Sequence, residues 1–173
     1  YAGYLAKKMG LPINKLLVAT NQNDILHRAI SEGKYVSEKV FETLSPSMDI
    51  QVASNFERLI YDLNDKDANL TSEIMKTIKK DKSYIINEIT LQKINSDFLS
   101  ASLSEDEIIK TISDVYKKNK LILDPHTAIG FAAFDRVSLE GNNIVLATAH
   151  PSKFPDAINK ALDMSAELPK ELQ

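Results

Sequence analysis

Thr148 and His150 are the side chains of this sequence best placed to do chemistry. They follow the apolar run Ile144-Val-Leu-Ala and precede Pro151-Ser-Lys. A buried strand that stops at small and polar residues is how α/β proteins build ligand sites. A threonine hydroxyl at such a point has two uses: it caps the strand end through local backbone hydrogen bonds, or it meets a ligand. His150, held in a rigid turn by Pro151, suits the lining of a site. The run Leu121-Ile-Leu-Asp-Pro-His126-Thr ends in the same way, and His126 stands where it can hydrogen-bond across neighbouring strand ends. Asn21 and Asn23 close a third apolar run, Lys15-Leu-Leu-Val-Ala-Thr, and one of the two is explained as a helix cap. In Ser54-Asn-Phe-Glu-Arg58, Asn55 and Arg58 occupy the first turn of a helix. Free N–H groups there favour anions, and arginine adds a planar fork suited to phosphate or carboxylate. Arg58 has an alternative partner in Asp62, four residues on.

Other chemistries lack their residues. His27, His126 and His150 show no i, i+4 pairing and no H-E-x-x-H pattern, and there is no cysteine, so no metal site is expected. His27 reads as a half-buried structural residue. No G-x-S-x-G elbow, Walker loop or G-x-G-x-x-G is present, and the five glycines are too dispersed to cradle a phosphate. With 173 residues, 43% of them hydrophobic and 26% charged, the chain suits one domain with a sizeable core better than two. A formal charge of -3 leaves no electrostatic footprint for nucleic acid or an anionic membrane. Lys79-Lys80 with Lys82, and Lys117-Lys118 with Lys120, read as solvated helix ends. No apolar run approaches the ~20 residues that span a bilayer.

The elements that must position these side chains follow from periodicity. Tyr1, Tyr4, Leu5 and Met9 share one helical face, and Gly10 with Pro12 ends that helix. It starts without a cap and without an initiator methionine, so the chain is expected to begin inside a larger protein. A strand over Lys15–Asn21 and a helix over Asn23–Ile30, closed by Gly33, imply a parallel sheet. Lys39–Leu44 is a weaker strand candidate, and Ser45–Asp49 is a turn. Ser54 and Glu57 have the spacing of a capping box for a helix to Leu63. From Asn64 to Ser100 the chain turns polar, with helical pieces and little strand signal, as in a helical insertion or small lobe near 64–100. A second capping box, Ser104 with Glu107, opens a helix through Tyr116. Strands at Leu121–Leu123 and Ile144–Ala147 flank a helix from Pro125 to about Leu139, and a last helix covers Pro155–Leu162. The expected fold is α/β: a three-layer parallel sheet with flanking helices.

DPHTAIGFAAF (124–134), LATAHPSKF (146–154), ATNQNDILHR (19–28) and the pair Ser45–Ile50 and Ser54–Arg58 resemble threonine synthase. That family is pyridoxal-phosphate dependent and has the tryptophan-synthase-β-like fold, fold type II. The likeness covers most of the chain, is weakest between Asn64 and Ser100, and places residues 1–173 in the C-terminal portion of the catalytic domain. It implies that the Thr148 hydroxyl meets the pyridine nitrogen of the cofactor, that Asn21 is the pocket residue of its pair, and that Ser47, Asp49, Asn55 and Arg58 lie toward the substrate. The implied reaction, in the cytoplasm, turns O-phospho-L-homoserine and water into L-threonine and phosphate. Family members carry the cofactor on a Schiff-base lysine and hold its phosphate in a Gly-rich loop, and this sequence has neither. No lysine here is therefore assigned as catalytic, and the chain alone is expected to be inactive and not to bind pyridoxal phosphate. Two alternatives stay open: the C-terminal half of a split enzyme completed by a separate N-terminal half, and a non-enzymatic remnant or interaction module. Without the covering half, strand edges and apolar surface should be exposed, and self-association is expected.

Overall fold

Five consecutive residues, Leu16 to Thr20, run between two apolar cores and send alternate side chains into each. The computed structural model describes residues 1–137 and 139–169. In chain order its elements are α1 (Ala2–Lys8), β1 (Leu16–Thr20), α2 (Ile25–Glu32), β2 (Lys34–Val36), α3 (Ser54–Leu63), α4 (Ala68–Asp81), β3 (Ser83–Ile85), α5 (Glu88–Asp97), β4 (Phe98–Ser102), α6 (Glu105–Asn119), α7 (Pro125–Phe134) and α8 (Pro155–Leu162). Single turns of 3-10 helix lie at Pro46–Met48 and Pro151–Lys153.

β1 and β4 pair in parallel, with Leu16 opposite Phe98 and Thr20 opposite Ser102. Side chains on a strand alternate between faces. Leu16, Val18 and Phe98 thus join a core of Tyr4, Ile25, Ala29, Phe56, Ile60 and Ile94, contributed by α1, α2, α3 and α5. Leu17, Ala19 and Ala101 join the other core, in which α6, α7 and α8 supply Ile108, Ile112, Ala128, Ile129 and Ile158. The result is helix, sheet, helix: the three-layer α/β arrangement. A small antiparallel pair, β2 with β3, lies to one side, and its Tyr35 stacks on Phe56 at a centroid distance of 4.7 Å.

Local chemistry explains the helix ends. Gly10 takes a φ of 101°, and the N–H groups of Gly10 and Leu11 close on the carbonyls of Lys7 and Ala6, a Schellman ending for α1. Gly33 caps α2 in the left-handed conformation. The Ser104 and Glu107 capping box forms at α6. The lysine clusters end α4 and α6, where cations suit the helix dipole.

Several expectations are corrected. No strand forms at Lys39–Leu44, because its backbone groups are taken by side chains: the Phe41 N–H donates to Asn23 Oδ1 and the Thr43 N–H to Asp49 Oδ2. Leu121–Leu123 and Ile144–Ala147 are extended-length apolar runs without strand partners among the described residues. A strand needs a neighbouring backbone as well as apolar side chains, and Ile144 and Leu146 are 82% and 77% exposed. The stretch read as poor in strand holds β3, which pairs with β2, and the start of β4, which pairs with β1. α7 ends at Phe134, short of Leu139, while Ser138 lies outside the described residues. Ser54 is not a cap: Ala53 holds that position, its N–H donates to the Tyr35 hydroxyl, and no side chain caps α3.

Candidate functional site

Two knots of polar side chains meet at the turn Ser45–Asp49. The first begins at Asn21, the residue after β1. It is fully buried, and its side-chain nitrogen lies 2.8 Å from Asp49 Oδ1, 2.9 Å from Thr43 Oγ1 and 2.9 Å from Ser45 Oγ. Its side-chain oxygen accepts the Asn23 N–H at 2.8 Å. Asn23, also buried, donates from Nδ2 to Asp49 Oδ1 and to the Phe41 carbonyl, at 2.9 Å each. Thr43 donates its hydroxyl to Asp49 Oδ1 at 2.7 Å. Both asparagines are thus committed inside the protein, and together they fasten the segment 41–49 to the end of β1. Ser102 adds a bond from its hydroxyl to the Asn21 carbonyl at 3.0 Å, so the ends of β1 and β4 share the knot.

The second knot is built on Asp124, the N-cap of α7, with Pro125 at the first helical position. Its carboxylate accepts the N–H groups of His126 and Thr127 at 3.0 and 3.3 Å, the Thr127 hydroxyl, and His126 Nδ1 at 3.0 Å. Burial disfavours charge on Asp124, but these donors outweigh it, led by the His126 and Thr127 side chains, and its pKa is lowered below the ordinary carboxylate value. The other ring nitrogen of His126, Nε2, accepts the Ser47 N–H at 3.2 Å. A nitrogen that accepts carries no hydrogen, so the ring's donor is Nδ1, facing Asp124. Phe154 covers the His126 ring at a centroid distance of 4.7 Å. Thr127 Oγ1 in turn accepts the Thr148 N–H at 3.1 Å.

The structure therefore brings together Asn21, Ser47, Asp49, His126 and Thr148 near the ends of β1 and β4 and the start of α7. Thr148 is exposed and follows a segment without a strand partner among the described residues, and its backbone is held by Thr127. His150 is exposed, and its Nδ1 accepts the Ser152 N–H at 3.2 Å as the cap of a 3-10 turn. Asn55 and Arg58 stand apart from these knots, bonded to each other at 2.7 Å on the exposed side of α3. Asp62 accepts the Tyr1 hydroxyl. His27 is half-buried, with Nδ1 2.9 Å from Ser100 Oγ. Asp124, Thr127, Thr43 and Ser45 were not expected from sequence, although Asp124-Pro125 carries the residue pattern of a helix start. Among the described residues no three histidine, aspartate or glutamate side chains gather as a metal site. No helix among them is long and apolar enough to cross a membrane.

Residues 127–173 match the family model described as threonine synthase, C-terminal. The threonine synthase of Pseudomonas aeruginosa is 42% identical over 175 residues, which take in 99% of this chain and 37% of that protein. That of Saccharomyces cerevisiae is 41% identical over 180 residues, 93% of this chain and 35% of its own length. Among solved structures, PLP-bound threonine synthase from Brucella melitensis matches with a TM-score of 0.93 at 44% identity, over 99% of this chain and 37% of that one. Threonine synthase from yeast matches with a TM-score of 0.89 at 39% identity, over 99% of this chain and 39% of that one. The chain thus spans between 35% and 39% of the length of these relatives.

Proposed function

From a chain that is the counterpart, in sequence and fold, of the C-terminal part of threonine synthases, we propose that it forms the ring-nitrogen and substrate wall of such an enzyme. The overall reaction is conversion of O-phospho-L-homoserine and water to L-threonine and phosphate, in the cytoplasm. The lysine that carries the cofactor and the loop that binds its phosphate come from polypeptide outside this chain, so these 173 residues are inactive alone.

The observation that carries this reading is the exposed Thr148, anchored through Thr127 to the buried Asp124. Pyridoxal phosphate, when bound, supplies the electron sink that stabilises a carbanion on the substrate. The donors present fit its ring nitrogen. A threonine hydroxyl donates a hydrogen to a neutral pyridine nitrogen but does not favour its protonation, as a carboxylate would. The Asn21 and Asp49 knot holds the Ser47 turn against His126, and that turn would line the site beside the cofactor. Arg58, apart from these knots on the exposed side of α3, donates one N–H to Asn55 and keeps further guanidinium donors for an anion such as the substrate phosphate.

Mixing this chain with the lysine-bearing N-terminal portion of a threonine synthase tests the proposal. Phosphate release from O-phospho-L-homoserine should appear in the mixture and in neither part alone. No release at any ratio would overturn it. In an active mixture, Arg58→Ala should raise KM for the substrate by about tenfold or more, the loss of one charge-assisted contact.

A further inference from the structure

The direction of each bond around Thr127 is set by the carboxylate behind it. Asp124 is 1% exposed and ionised, so it has no hydrogen to give and every bond to it is an acceptance. The Thr127 hydroxyl hydrogen is spent on Asp124 Oδ2. Turning it elsewhere would leave a buried carboxylate oxygen short of a donor, a costly vacancy. Thr127 Oγ1 can then only accept, and it does so from the Thr148 N–H at 3.1 Å, with Thr148 Oγ1 a further 3.4 Å away. That last separation is long for an O–H···O bond. The Thr148 hydroxyl hydrogen is therefore left available to an acceptor on the open side, while its backbone is held. The held residue ends a segment with no strand partner among the described residues, in which Ile144 and Leu146 face outward.

We infer that Thr127, oriented by Asp124, is a positioning residue that presents the Thr148 hydroxyl as a donor toward the ring nitrogen of the cofactor. The inference rests on the reading of Thr148 as the ring-nitrogen partner and adds what fixes its direction. Thr127→Val keeps the volume and removes the hydroxyl, whereas Thr127→Ser keeps the hydroxyl.

Two measurements test it. In the chain itself, hydrogen exchange of the Thr148 amide should quicken about tenfold in Thr127→Val and stay near the native rate in Thr127→Ser. In holoenzyme containing this chain, Thr127→Val should weaken pyridoxal phosphate about tenfold, yet leave unchanged the affinity for the analogue with carbon in place of the ring nitrogen. Thr127→Ser should bind both as the native protein does. Unchanged Thr148 exchange in Thr127→Val, or equal weakening of the two ligands, overturns the role of Thr127. A native holoenzyme that binds the two ligands alike would instead remove the reading of Thr148, and the role with it. If Thr127→Val does not fold, Thr127→Ala is read against the same outcomes.

Discussion

Asn21 and Asp124 each hold several elements in place, one as a neutral donor and the other as a charge. Replacing Asn21 by alanine deprives Thr43, Ser45 and Asp49 of a shared buried donor. Unfolding in urea should show a loss of about 2–3 kcal/mol, with the slope unchanged. Asp124 acts through pH. Its folded pKa, and that of Glu107, lie below the unfolded values, so the stability they contribute is complete above the ordinary carboxylate range. It is lost as pH falls through the folded values. For Glu107, where the Ser104 N–H and then Arg136 hold the carboxylate at about 2, that loss runs from about pH 5 downward. Thermal unfolding should thus shift to lower temperature between pH 5 and pH 2, and Glu107→Gln should flatten part of the slope. His126 was expected to bond across strand ends, whereas its partners are the cap of α7, Asp124, and the N–H of Ser47 in a turn. Its dependence on Asp124 was not legible in sequence, because an Asp-Pro pair announces a helix start and says nothing of what else the carboxylate will bind.

The elements most legible in sequence were those with strong periodicity or caps: α2, α6 and α8, together with β1. β4 was hidden because Phe98-Leu-Ser-Ala-Ser has only two large apolar residues. One reason is the sheet's second face, where Ala101 shares its core with the small Ala128, Ala132 and Ala133 of α7, so that helix and sheet meet through short side chains. Leu121–Leu123 and Ile144–Ala147 erred in the other direction, since apolar composition cannot report whether a pairing backbone is present. The second of these runs is seated on α7 at Gly130, where a Cβ would lie 2.9 Å from Val145 Cγ1. Gly130→Ala should therefore displace the run. Alanine gains about 1 kcal/mol of helix propensity, which offsets the crowding, so overall stability should change by less than about 1 kcal/mol. The Thr148 amide should nonetheless exchange faster, as measured by NMR. Unchanged exchange would show that Val145 gives way without moving the site.

At the scale of the whole molecule, the side chains left in solvent matter as much as the cores. Met9, Val52, Ile144 and Leu146 are large, apolar and more than half exposed, and the parallel sheet has two strands among the described residues. Surfaces and edges of this kind invite pairing with another chain. Sedimentation of the chain alone should show concentration-dependent association, and the double substitution Ile144→Lys, Leu146→Glu should reduce it while leaving the fold intact by circular dichroism. A monomer at every concentration would count against an interface on that side. The three-layer fold was legible as a class because β1 and the helices around it imply a parallel sheet; its partner strand was not, since it comes from the stretch that looked helical. The pairing of Leu16 with Phe98 also sets a clock. At a synthesis rate of about 5–20 residues per second, β1 leaves the ribosome roughly 4–16 s before the strand it must pair with. For that interval Leu16 and Val18 wait without their partner strand, with Tyr4 of α1 already made and the core faces of α2 to α5 added one after another before β4 arrives.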